Sequence, residues 1–277
     1  MNSHPKLHWN ALSKLLALLA LAGAVLTGCG GGSSSDGDAP SIVGTRLTTS
    51  ITSRANGSSY SLDIYLPPAS AGPRSSLPVV YALDGDGWFE TIIGAAQSTH
   101  TPAIVVGIGT SGQRGRDFVP SNNCTSNGGG HVAYLDFLRN ELLPYVEANF
   151  GGNPQQRALF GHSHGGSFVL YAMFAQQPGQ HAFKAYLASD ASVSCMPDTA
   201  SGWEQDYART YRELPVRLHL SYATQGNYAP NLEYARVIKL RNYSGVAFVD
   251  TAYSGTHSGI VPQVLNDAVP YAFAAGR

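Results

Sequence analysis

From Thr45 onward, apolar positions come in short runs that switch between a period of two and a period of 3.6. Thr45–Thr52 and Tyr60–Leu66 read as a hairpin, with Tyr60, Leu62, Ile64 and Leu66 alternating and Asn56-Gly57 supplying the turn. Pro67-Pro68 stops that element. Leu77–Leu83 and Pro102–Ile108 are nearly unbroken apolar runs, the pattern of strands covered on both faces. A short helix over Trp88–Ser98 fits between them. The spacing predicts a long helix over His131–Phe150, where Leu135, Leu138, Leu142, Tyr145 and Val146 share a stripe and Arg139, Asn140 and Glu147 do not. A strand over Arg157–Phe160 leads into a helix that Pro178-Gly179 ends. Further strands are predicted at Phe183–Ala188, Val216–Ser221 and Val246–Ala252, with helices at Gly202–Arg212, Ala229–Arg241 and Gly259–Ala275. This order predicts an α/β fold: a doubly wound, mostly parallel sheet with helices on both faces.

The chain before Thr45 has a different pattern. Lys6 and Lys14 precede an apolar run from Leu15 to Leu26, then Leu26-Thr27-Gly28-Cys29. About a dozen apolar residues are too few to span a bilayer core, which needs ~20, but they suit a secretory signal. The ending resembles the bacterial lipobox, which implies lipidation of Cys29; an ordinary signal peptide is the alternative. Residues 30–40 hold no large apolar side chain and read as a flexible tether. The expected organisation is a signal peptide over 1–28, a tether over 29–44 and one catalytic-sized domain over 45–277. The expected location is the bacterial cell envelope, with the lipid bilayer as a partner through Cys29.

Charge changes this picture little. The chain carries 18 acidic and 17 basic side chains. Loss of Lys6 and Lys14 with the leader leaves 15 basic residues and a net charge of −3, which favours neither nucleic acid nor a basic membrane-facing patch. Cys124 and Cys195 remain, and an even pair in an oxidising compartment invites a disulfide.

The candidate chemistry lies at Gly161-His162-Ser163-His164-Gly165-Gly166, between a predicted strand and a predicted helix. Such a turn exposes the central hydroxyl and needs nearly bare neighbours two positions away on each side. Ser163 is the candidate nucleophile. The i, i+2 spacing of His162 and His164 is not a metal pattern. A serine hydroxyl needs a base, and His257 lies in the loop between the last strand and the last helix, after the serine in chain order. The backbone N–H of His164 is one candidate oxyanion donor. The other is that of Asp86, in the glycine-rich bend Asp84-Gly85-Asp86-Gly87.

The motifs Val80–Asp86, Arg114–Pro120, Phe137–Pro144, Gly161–Gly166 and Thr256-His257-Ser258, in that order, resemble the esterase family that includes esterase D, feruloyl esterases and siderophore esterases. The resemblance runs from about Tyr60 to the C-terminus. It implies the α/β-hydrolase fold and hydrolysis of a small-molecule carboxylic ester through an acyl-enzyme, with neither a metal nor an organic cofactor. The family's acid usually follows the strand equivalent to Val216–Ser221, where this chain has Gln225. That leaves a Ser–His dyad, or Asp190 or Glu233 as a substitute acid. In the long loop 110–130, Arg114, Arg116, Asp117 and Phe118 are candidate pocket residues; Arg116 and Asp117 can equally serve to fix the loop. A bond between Cys124 and Cys195 would tie this loop to the one over 190–203. Acyl transfer, or ligand binding by a degenerate hydrolase, are the competing functions.

Overall fold

The computed structural model describes residues 44–120, 124–193 and 197–275. The signal peptide, Cys29, all but the last residue of the tether, and Cys195 lie outside the described residues. Eight strands form one sheet in the order β1-β2-β4-β3-β5-β6-β7-β8. β1 (Thr45–Thr52) and β2 (Ser59–Leu66) are the antiparallel hairpin, and β2 runs antiparallel to β4 (Ile104–Ile108). β3 (Val79–Leu83), β4, β5 (Arg157–His162), β6 (Ala185–Ser189), β7 (Arg217–Gln225) and β8 (Ala247–Thr256) are all parallel.

The central strands have no polar alternation because both of their faces are covered. In β3, Val79, Tyr81 and Leu83 belong to one core, while Val80 and Ala82 belong to the other; all are buried. One face is covered by α1 (Gly85–Ser98) and α8 (Val261–Phe273), whose apolar stripes supply Phe89, Ile92, Val264 and Leu265. The opposite face carries α2 (Arg114–Phe118), α3 (His131–Phe137), α4 (Leu143–Phe150), α5 (His164–Phe174), α6 (Pro197–Thr210) and α7 (Tyr228–Arg241).

Three local expectations are corrected. The segment over 110–130 is not loop throughout, since α2 closes a turn within it. The predicted helix His131–Phe150 contains a π-helical stretch at Leu138–Leu142, just before Pro144. Proline has no N–H to give to an i−4 carbonyl, and widening the ladder is one way to absorb that loss. Strands β5 and β8 run past their predicted ends, to His162 and Thr256, so Ser163 and His257 directly follow strands.

Two histidines are buried against the sheet, His162 at the end of β5 and His219 within β7. Burial pushes each imidazole down to about 4, whereas an unfolded histidine titrates near ~6.5. Between these values the unfolded chain binds more protons, so stability rises with pH and is lost on acidification. Urea unfolding from pH 6.5 to 4.5 should show a loss of about 1 kcal/mol per pH unit for each histidine. Replacing His219 with Gln should flatten that slope, and an unchanged slope would refute the assignment.

Candidate active site

Parallel strands bring their carboxyl ends to one edge of the sheet, and the first residue after each strand stands there. Four of those residues carry polar side chains: Asp84 after β3, Ser163 after β5, Asp190 after β6 and His257 after β8; Gly109 and Gly226 follow β4 and β7. Ser163 caps α5 with φ 60° and ψ −121°, a conformation that costs a non-glycine residue ~1–3 kcal/mol. Gly161 permits this tight turn, because a Cβ there would run into the carbonyl of Gly165 in the first turn of α5. Hydrogen bonds hold the turn from both sides. The Ser163 N–H donates to the Ser189 carbonyl (2.9 Å), and the Ser163 carbonyl accepts from the N–H of Ser192 (3.1 Å).

Opposite the turn, His257 Nδ1 donates to Asp190 Oδ2 at 2.5 Å. Asp190 is fully buried, and its backbone is left-handed, with φ 40°. Its carboxylate also accepts from the N–H of Ala223 (2.9 Å) and of Asn227 (3.1 Å to Oδ2), which offset its desolvation. Gly226 makes room for it: a Cβ there would press into Asp190 Oδ2 and stand 3.2 Å from the Cα of His257. The His257 ring packs on that of His162, with centroids 4.4 Å apart, and Trp88 meets His162 edge-on at 5.2 Å.

A second cluster joins the β3–α1 turn to the Ser163 turn. Asp84, left-handed at φ 53°, accepts two bonds from Arg114, at 2.7 and 3.0 Å. The same guanidinium donates to the His162 carbonyl (3.2 Å) and to His164 Nδ1 (3.2 Å). Arginine only donates, so Nδ1 of His164 is an acceptor and its ring is neutral. Burial, then Arg114 and His257, hold the pKa of that ring below the ordinary value. Burial pushes the Asp84 carboxyl up, with Arg114 opposing. No side chain caps α1 or α5, so N–H groups at both helix starts are left for another partner. His164 is the first residue of α5, and Asp86 the second of α1.

The remaining sequence candidates fall elsewhere. Asp117 is buried, accepting from Arg116 Nε (2.7 Å) and from the hydroxyl of Tyr60 (2.7 Å), and Phe118 lies in the core. These contacts hold the segment around α2 against β2 and the core. Arg114 is bound to Asp84 rather than reserved for an anionic ligand. Glu233 pairs with Arg236 along α7, exposed, while Gln225 is exposed at the end of β7. Of the two substitute carboxylates, the structure therefore sets Asp190 against His257. Sequence reading missed Asp84, Trp88 and Ser192. Only Asp84 had a usable signal, its place directly after a buried strand. Among the described residues, no group of three or more His, Cys, Asp or Glu side chains is placed to hold a metal ion.

This strand order, with a strained serine turn after β5, defines the α/β-hydrolase fold. The chain belongs to the esterase family whose model, described as "Putative esterase", matches residues 53–237. It is 34% identical over 139 residues to a siderophore triacetylfusarinine C esterase of Aspergillus fumigatus, covering 43% of this chain and 46% of the relative. It is 28% identical over 151 residues to the ferri-bacillibactin esterase BesA of Bacillus subtilis, covering 46% of this chain and 51% of that one. The chain thus spans about half the length of the curated relatives it matches. Among solved structures, an IroE-like serine hydrolase from Shewanella oneidensis superposes with a TM-score of 0.72 at 25% identity, over 81% of this chain and 79% of the other.

Removing Arg114 would leave the Asp84 carboxylate without its partner. Arg114→Met should cost about 3 kcal/mol in urea unfolding. Adding Asp84→Asn should recover part of that loss, because the stranded charge is gone. A single variant as stable as wild type would show that the pair does not hold the two turns together.

Proposed function

We propose that this chain is a serine carboxylic-ester hydrolase that works through an acyl-enzyme on siderophore or other small or aryl esters. The contact between buried Asp190 and His257 Nδ1 carries the reading, because it fixes the tautomer in which Nε2 is free to take a proton. Ser163 Oγ attacks the ester carbonyl as its proton passes to His257 Nε2. The tetrahedral oxyanion accepts from the N–H groups of His164 and Asp86. Collapse expels the alcohol, protonated by His257, and leaves an acyl ester on Ser163. Water then repeats the sequence, and the acid returns to solution. A ligand-binding role for a degenerate site rested on Gln225, and Asp190 supplies the carboxylate that Gln225 lacks.

Purified residues 30–277 should hydrolyse p-nitrophenyl acetate, and a fluorophosphonate should label Ser163. Ser163→Ala should abolish both, and Asp190→Asn should lower kcat by ~10³–10⁴-fold. Gln225→Ala should leave kcat within a few-fold. Labelling elsewhere, or turnover by the Ser163→Ala variant, would end the reading. Release of acids from triacetylfusarinine C and ferri-bacillibactin, followed by mass spectrometry, tests the substrate class suggested by the relatives' names.

The same proposal places the enzyme on the cell envelope, held by a lipid on Cys29, with Cys124 and Cys195 joined across the site. The leader's composition and the small residues before Cys29 support the anchor. Mass spectrometry of unreduced, detergent-extracted protein should find a diacylglyceryl group on Cys29 and a linked Cys124–Cys195 peptide. A soluble chain with free thiols would contradict both.

A further inference from the structure

The hydroxyl of Ser192 stands 3.1 Å from Ser163 Oγ, and none of the chemistry above uses it. Ser192 is buried and belongs to the same short segment as Asp190. Its backbone N–H donates to the carbonyl of Ser163, so the two residues are tied through both main chain and side chain. Among the described residues its hydroxyl has no other partner. Either hydroxyl can be the donor in this geometry; in the reaction proposed above the proton of Ser163 goes to His257, which leaves the oxygen of Ser163 to accept from Ser192.

We infer that Ser192 is a catalytic residue whose hydroxyl donates to Ser163 Oγ and stabilises that oxygen whenever it carries negative charge. The inference rests on the esterase reading and deepens it. In acylation, the Oγ–H bond breaks, its proton goes to His257 Nε2, and the Oγ–C bond forms while the Ser192 proton stays on its own oxygen. In deacylation, the C–Oγ bond breaks and its electron pair returns to Oγ. Ser192 donates to that departing oxygen until His257 returns the proton. A hydrogen bond to a charged atom is stronger than one to a neutral atom, so the help is greatest as charge develops.

The test compares wild type, Ser192→Ala and Ser192→Cys, the last retaining a weak donor. Each is assayed for fluorophosphonate labelling of Ser163, steady-state turnover of p-nitrophenyl acetate and thermal unfolding. Ser192→Ala should melt like wild type, label about ten-fold more slowly and lose about ten-fold in kcat. Ser192→Cys should fall between, and it carries the test if the alanine variant does not fold. Wild-type rates in Ser192→Ala would overturn the inference and leave the esterase reading standing. Faster labelling would also overturn it, since Ser192 would then restrain the nucleophile. A wild type that labels at Ser163 without ester turnover would overturn the esterase reading, while labelling rates still decided the role of Ser192. A wild type that neither labels nor turns over would end both.

Discussion

One buried carboxylate organises this edge of the sheet. Asp190 receives N–H bonds from Ala223 and Asn227 and holds His257 through Nδ1. An ionised carboxylate out of water is costly unless its lone pairs are filled, and here three residues from two chain segments fill them. The segment around it also grips Ser163, through the Ser189 carbonyl on one side and the Ser192 N–H on the other. Ser163 can therefore keep a backbone conformation that would relax if either side let go. The ordering of His257 and Ser163 is a single cooperative arrangement.

The second cluster works by the same logic one strand over. The β3–α1 turn and the β5–α5 turn each begin a helix that no side chain caps. Their N–H groups converge usefully only if the turns keep their spacing, and Arg114 spans that gap with four hydrogen bonds. A planar guanidinium suits this role because it donates in several fixed directions at once. The cost is a half-buried cation and a buried anion, which bring stability only as a pair.

Much of this was legible in the residues. The unbroken apolar runs of β3 and β4 announced strands covered on both faces, and the glycines around Ser163 announced the turn, because those patterns follow from local burial and local sterics. The carboxylate beside His257 is not legible there, for a reason of the opposite kind. Whether Asp190, Glu233 or no carboxylate meets His257 depends on how β6, β7 and β8 lie side by side, and no local pattern reports that. Ser192 was invisible for the same reason, as one serine among several in a loop. The short α2 was hidden because its glycine and charged residues carry no apolar stripe, and what holds it is the Asp117–Tyr60–Arg116 cluster.

The position of the acid illustrates what the sheet constrains and what it leaves free. Neighbouring parallel strands lie about 4.8 Å apart, so the residue just beyond β7 starts one strand from the imidazole that follows β8, and the residue just beyond β6 starts two strands from it. A carboxylate from either strand can reach Nδ1 if nothing stands between. In this chain Gln225 is exposed and Gly226 has no side chain, so the space above β7 is open to the carboxylate from β6. Any side chain at 226 would close that passage. Which carboxylate meets His257 is thus decided by Asp190 and Gly226 together, one supplying the carboxylate and the other its access to the ring.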